Sequence, residues 1–173
     1  ARPPWWLRGS NTRAAPAPHS PAGTPATTKR GDEEEGASMS DQHFQDQQAI
    51  RELLERYCDG VNQRDADIWG STWALDAVWE LPHLGMEGLT GRGMIVASWT
   101  DAMKMFSFVN MMAMPGLIRV EGDKATMRSY TDEVAVMQDG TELRPRGQYD
   151  DECVKELGEW KFSRRVFTVL HGE

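Results

Sequence analysis

One apolar stripe constrains this chain more than any other feature. Ile50, Leu53, Leu54, Tyr57, Cys58 and Val61 recur at i, i+3, i+4, i+7, i+8 and i+11. That is the period of a helix buried along one face. It predicts a helix from about Asp46 to Asn62. Glu52 and Arg56 stand four apart on the wet side, in the order that favours an ion pair. Asn62-Gln63-Arg64-Asp65 breaks the pattern, and a second, short helix follows from about Ala66 to Trp73, presenting Ile68, Trp69 and Trp73. A helix with so apolar a face needs a sheet or further helices to cover it.

The sheet is written downstream. Asp76 to Leu81 reads as a strand, Pro82, Gly85 and Gly88 punctuate a loop, and about Met94 to Met105 forms a third helix. Phe106 to Val120 is long and apolar, and Pro115-Gly116 within it suits a bulge or an edge irregularity. Ala125 to Met137, Leu143 to Val154 and Trp160 to Leu170 are strand-like. Turns at Glu121-Gly122-Asp123, Asp139-Gly140 and Leu157-Gly158 separate these runs. An Asp-Gly turn between alternating runs is a strong hairpin signal. Three helices and then an antiparallel meander make an α+β chain. N-terminal helices packed on a strongly curved antiparallel sheet enclose a cone, with Met111, Met112, Met114, Met127 and Met137 as soft walls or core.

Composition narrows the function. The net charge is -8 and the pI about 5.0. Phosphate backbones are held by Lys and Arg, so nucleic acid is not an expected partner. No apolar run approaches the roughly 20 residues that span a bilayer. Cys58 and Cys153 lie far apart without CxxC spacing. They read as free thiols in a reducing, cytoplasmic setting, with a Cys58–Cys153 disulfide as the alternative. Residues 1–38 differ in kind. Ala14 to Thr28 is nearly all Ala, Pro, Thr, Ser and Gly, and Asp32-Glu33-Glu34-Glu35 follows. Such a stretch buries too little apolar area to offset its ordering entropy, so disorder is expected there. It has no apolar targeting core. The globular domain is expected over 39–173, after an extension that includes Trp5 and Trp6.

Several short stretches, in order, carry a family resemblance. They are Ile50-Arg-Glu-Leu-Leu-Glu-Arg-Tyr57, Asp76-Ala-Val-Trp79, Gly91-Arg92, Val120-Glu-Gly-Asp-Lys-Ala125, Gly147-Gln-Tyr-Asp-Asp151 and Trp160-Lys-Phe-Ser-Arg164. Over about Gln47 to His171 the chain resembles the SnoaL-like branch of the nuclear-transport-factor-2-like superfamily. Scytalone dehydratase, ketosteroid isomerase and polyketide cyclases share that cone. The resemblance implies an aspartate near the end of the first helix and a histidine in the sheet, acting as an acid–base pair. Here those places fall at Asn62 and Ser107, and a further histidine's place falls near Ser129 or Tyr130. None of these is a base at neutral pH. The resemblance also implies a homodimer through the outer sheet face, where Val134, Val136, Val166 and Val169 need cover.

The remaining candidates are read from the residues. Asn62 either orients a substrate oxygen or ends the helix in a left-handed turn. Asp59 reads as a surface charge. His83 is the domain's one internal histidine, with an ordinary pKa of about 6.5, and is either a proton carrier at a pocket rim or a surface loop residue. Arg128, Tyr130 and Asp132 share one face of a strand, opposite Ser129, Thr131 and Glu133. If the first set looks into the cone, Tyr130 and Asp132 serve an enolate-like oxygen. If it looks out, these are cross-strand charge pairs, with Arg144 or Arg146 as partner. Tyr57, Trp69, Trp73, Trp79, Phe108, Asn110, Met112 and Arg146 are the expected substrate contacts, suiting a flat apolar ring system. No spacing suggests a metal site or a phosphate-cradling loop, so no metal or cofactor is expected. The expected activity is a cofactor-free dehydration or double-bond shift on a small apolar cyclic molecule such as a polyketide, steroid or terpenoid. The alternatives are a non-catalytic binder, or the small subunit of an aromatic-ring dioxygenase, which would need a large iron-bearing partner.

Overall fold

The computed structural model describes residues 30–172. The expected disorder of residues 1–29 lies outside them. Helix α1 spans Arg30–Gln63 and α2 Ala66–Ser71. Strand β1 is Trp73–Leu81, β2 Met86–Thr90, and α3 Arg92–Met103. Then come β3 Phe106–Glu121, β4 Lys124–Met137, β5 Glu142–Leu143, β6 Arg146–Glu156 and β7 Glu159–His171. The architecture is α+β, with helices against a strongly curled sheet that forms a half-barrel.

Helix α1 buries the expected stripe: Ile50, Leu53, Leu54, Tyr57 and Val61 are all buried. It begins at Arg30 rather than near Asp46 and so runs into the segment read as an extension. Its upstream turns are rich in Glu and Gln, which favour helix but leave no apolar stripe to read. Arg64 takes the left-handed conformation that ends the helix, at φ 55°. Asp65 then caps α2, its Oδ1 accepting from the amides of Asp67 and Ile68 at 2.9 and 2.8 Å. Gly60 lets the two helices touch: a Cβ there would lie 2.7 Å from the Trp69 backbone nitrogen.

The sheet order is β2-β1-β7-β6-β4-β3, with β5 paired to β4. It is mixed rather than wholly antiparallel, because β1 runs parallel to β7. The antiparallel expectation rested on local hairpins, and this contact closes across nearly the whole domain, where no turn dictates direction. Trp73 opens β1 instead of closing α2, since the Thr72 carbonyl already accepts from Phe162 of β7 at 2.8 Å. Met86–Thr90 is a strand, not loop, too short and Gly-broken for alternation to show. The irregularity at Pro115-Gly116 is present as a register shift between Pro115 and Ile118.

Alternation on β4 sets which side chains face the helices. Ala125, Met127, Ser129 and Thr131 are buried, whereas Thr126, Arg128, Tyr130 and Asp132 are exposed. Beneath the sheet an aromatic cluster fills the core, with Trp69 stacked on Trp99 at 4.5 Å and packed edge-on against Trp73 and Trp79. Asp46 pins α1 to the β6–β7 hairpin, accepting from Lys155 Nζ at 2.6 Å and Trp160 Nε1 at 2.9 Å. Because backbone lies against Gly60, a Gly60→Ala variant is expected to lose about 1–3 kcal/mol of stability, read as a lower urea midpoint.

Candidate active site in the cone cavity

A cavity of about 390 Å³ opens between α1, α3 and the inner face of the sheet. Its wall is largely apolar: Trp79 and Leu81 from β1, Trp99 from α3, Met111 from β3, Phe167 from β7. Four side chains that ionise interrupt that wall: Tyr57, His83, Glu133 and Tyr149.

Glu133 is the group with most chemical potential. It lies on the inner face of β4, two residues beyond Thr131, and its amide bonds the Pro145 carbonyl at 3.1 Å. Burial raises its pKa above the ordinary carboxyl value of 4.5, while Thr131 and Arg165 pull it the other way. His83 sits in the short 3-10 turn Pro82–Leu84 at the cavity mouth, its ring 5.4 Å from that of Phe167. Partial burial lowers its pKa. Burial raises the pKa values of Tyr57 and Tyr149 too, so both stay protonated donors through neutral pH.

Behind this wall lies Arg165, fully buried. Its Nε donates to Asp151 Oδ1 at 2.7 Å, and its Nη2 reaches Asp151 Oδ2 and Ser129 Oγ, each at 3.2 Å. The guanidinium packs against three rings, 4.1 Å from Tyr57, 3.9 Å from Tyr149 and 4.0 Å from Phe162. Burial alone would lower its pKa, but Asp151 and the tyrosines outweigh it, so the guanidinium remains charged.

Residues 42–166 match the SnoaL-like domain. The chain belongs to that family. Its fold is similar to that of several solved structures. One is a protein from Novosphingobium aromaticivorans provisionally named an aromatic ring hydroxylase. It is 26% identical, with a TM-score of 0.69 over 75% of this chain and 94% of that one. Another protein of the same organism, provisionally named a scytalone dehydratase, is 20% identical with a TM-score of 0.70 over 78% and 90%. A hexachlorocyclohexane dehydrochlorinase, LinA type 2, is 19% identical with a TM-score of 0.67 over 75% and 88%. A comparison with curated proteins gave no match.

Within this SnoaL-like cone, the residues singled out from sequence separate into three groups. Tyr57, Trp79 and His83 line the cavity. Trp69 and Trp73 are fully buried in the core behind it. Tyr130, Asp132 and Arg146 lie on the outer face of the sheet, as do Phe108, Asn110 and Met112. Asp132 pairs there with Arg146 at 3.4 Å, and Arg128 with Asp150 at 3.2 Å, so the outward alternative describes them. The polar Ser129–Asp151–Arg165 cluster occupies the inner face and fixes that parity.

The two places of the family's acid–base pair are both committed to backbone. Asn62 Nδ2 donates to the Met111 carbonyl at 2.8 Å, and its Oδ1 accepts from the Met111 amide at 2.6 Å. It neither aims into the cavity nor ends the helix in a left-handed turn, the role Arg64 takes. Ser107 is exposed in a bulge, its hydroxyl donating to the Val136 and Met137 carbonyls at 3.1 and 3.2 Å. Sequence reasoning passed over Glu133, Tyr149, Trp99 and Phe167. Only the run of small polar residues opposite Tyr130 hinted that the inner face of β4 carries polar groups.

Among the described residues no cluster of three His, Cys, Asp or Glu could hold a metal ion. No described helix is long and apolar enough to cross a membrane. Cys58 and Cys153 are free thiols. The Asn62 clamp is testable. Asn62→Ala is expected to cost about 1–3 kcal/mol in urea unfolding. Asn62→Asp keeps the acceptor but turns a carboxylate oxygen on the Met111 carbonyl, which raises its folded pKa. Its deficit against the wild type should shrink as pH falls through the carboxyl range, where the protonated acid donates again.

Proposed function

We propose that the cone cavity takes a small apolar cyclic molecule and carries out a cofactor-free elimination or double-bond shift, with Glu133 as the proton-transferring group. The observation that carries this reading is the single carboxyl in a largely apolar cavity, with its pKa raised by burial. A base works best when its pKa approaches the working pH. Glu133 supplies this although Asn62 and Ser107 do not.

In an elimination, the Glu133 carboxylate takes a proton from a ring carbon. The C–H electrons form the new double bond, and the leaving group departs from the neighbouring carbon with its bonding pair. In a double-bond shift, the same carboxyl returns the proton to a different carbon. His83 at the mouth exchanges protons between the cavity and water. The names of two fold neighbours, one provisionally a scytalone dehydratase and the other a dehydrochlorinase, describe eliminations of this type.

The second reading is a carrier that holds such a molecule without converting it. Asn62 and Ser107 favour it, since both positions of the family's pair are spent on backbone. A panel of cyclic alcohols, halides and unsaturated ketones, followed by mass spectrometry and by binding, separates the two. Turnover lost by about 10²- to 10⁴-fold in Glu133→Gln supports the enzyme. Binding without turnover in the wild type supports the carrier.

Glu133 also makes a stability prediction. A raised folded pKa means the carboxyl costs stability as pH rises from its unfolded value through its folded one. Glu133→Gln removes that cost. The variant is expected to melt above the wild type at neutral pH, with the gap closing as pH falls toward 4.5.

The outer face completes the proposal. Phe108, Met112 and Met114 are 52%, 64% and 70% exposed and stand beside Tyr130 and the half-buried Val134 and Val136. We assign this face to a second copy of the chain, since single apolar side chains are ordinary on a surface but a contiguous patch is not. Light scattering should give a dimer for the wild type, and Met112→Lys with Met114→Lys should give a monomer.

A further inference from the structure

Gly147 is buried on the inner face of β6, between Pro145 and Tyr149, which both line the cavity. Its backbone is not in the left-handed region. Conformation therefore does not call for glycine here, but space does. A Cβ at this position would lie 2.1 Å from Cζ and 2.2 Å from Cε2 of Phe167. In the β6–β7 register Phe167 pairs with Tyr149, and Gly147 pairs with Val169. The Phe167 ring thus leans along the strands to its diagonal neighbour, and its tip covers the Gly147 backbone. Glycine inside a strand often marks such a close approach. The same ring stands 4.7 Å from that of Tyr149 and 5.4 Å from that of His83. It forms the stretch of wall between the interior of the cavity and its mouth.

We infer that Gly147 and Phe167 together determine the size of ligand this cavity takes. Phe167 ends the space open to a flat ring system, and Gly147 keeps the Phe167 ring out of that space. A methyl group at position 147 meets only the far end of a side chain, so the ring gives way rather than the sheet. With β6 backbone beneath it, the ring can swing only toward the cavity. The cavity volume of about 390 Å³ lies near the lower end of the roughly 300–1,000 Å³ of small-molecule sites. The ligand class that fits is an apolar molecule of two fused rings, with a third ring stopped by Phe167. Leucine at position 167 keeps β7 apolar but removes the ring tip, which opens a path over Gly147 toward His83. The inference rests on the cavity as the ligand site and not on the role of Glu133.

The probes are 2-naphthol and 9-phenanthrol, flat hydroxylated molecules that differ by one fused ring, and binding is measured by equilibrium dialysis. A further ring buried in full adds about tenfold to affinity. The wild type should forgo that gain and bind 9-phenanthrol no tighter than 2-naphthol. Phe167→Leu should bind 9-phenanthrol about tenfold tighter than the wild type does, with 2-naphthol changed by less than about threefold. Gly147→Ala should weaken both probes, and adding Phe167→Leu should restore 2-naphthol, because leucine has no ring tip for the methyl to displace. An alanine that only loosened the fold would not be rescued in this way. If Gly147→Ala does not fold, the two affinities of Phe167→Leu decide the matter alone. A tenfold preference for 9-phenanthrol in the wild type, or an unchanged ratio in Phe167→Leu, would overturn the inference and leave the cavity standing. If the wild type binds neither probe, the cavity reading fails and this inference falls with it.

Discussion

The buried guanidinium of Arg165 is the point on which the sheet and the site both depend. It draws on four elements: Asp151 from β6, Ser129 from β4, Tyr57 from α1, and Phe162 from its own strand β7. A charge taken out of water is tolerable only if it is paired and its donors are used. Asp151 supplies two oxygens and the three rings supply their faces. Removing Asp151 would leave an uncompensated cation, typically a loss of about 3–5 kcal/mol. The pair also fixes parity. Once Ser129 must face inward to meet Arg165, period-two alternation turns Thr131 and Glu133 inward and Tyr130 and Asp132 outward. The position of the carboxyl in the cavity therefore follows from an ion pair between β6 and β7 that Ser129 of β4 must meet.

That dependence explains what could be read from sequence. The α1 stripe reports burial directly, because every residue in it is apolar and spaced for one face. The Asp139-Gly140 and Leu157-Gly158 turns report their hairpins because the turn chemistry is local. Face parity on β4 is different. From Ser129 to Val136 its inner face carries Ser129, Thr131 and Glu133 and its outer face Tyr130, Asp132, Val134 and Val136, so hydrophobicity there does not mark the buried side. Ser129 is polar because a buried charge requires polar neighbours, and that charge lies on β7, 36 positions away. Periodicity identifies two faces but not which one is inside. The site was therefore legible where α1, β1 and the turn after it form it, at Tyr57, Trp79 and His83. It was illegible where β4, β6 and β7 form it.

Asn62 shows how a place usually tied to chemistry can serve architecture. Strand β3 is the last in the sheet order, so its outer backbone groups have no strand partner. Helix α1 covers them with polar side chains. Gln47 donates to the Ile118 carbonyl, Asn62 bonds both groups of Met111, and Arg64 donates to the Phe106 carbonyl. An open edge invites pairing with another chain, and such capping blunts it. The amide suits Met111 because it both donates and accepts. A carboxylate could only accept, and would set its second oxygen against a carbonyl. An amide here satisfies both Met111 backbone groups and cannot serve as a base.

If the base has left Asn62, its replacement must still face a cavity whose electrostatics are already set. The Arg165 guanidinium lowers the pKa of Glu133 against burial, yet two of its nitrogens already donate to Asp151. A free arginine beside Glu133 would hold the carboxyl low and make it a weak base. The shared guanidinium opposes the effect of burial without cancelling it, as the net upward shift of Glu133 shows. The same cation stabilises negative charge on the side of the tyrosines. The ion pair that joins β6 to β7 therefore also polarises the cavity, with the Glu133 carboxyl on β4 and the Arg165 guanidinium behind the rings of Tyr57 and Tyr149.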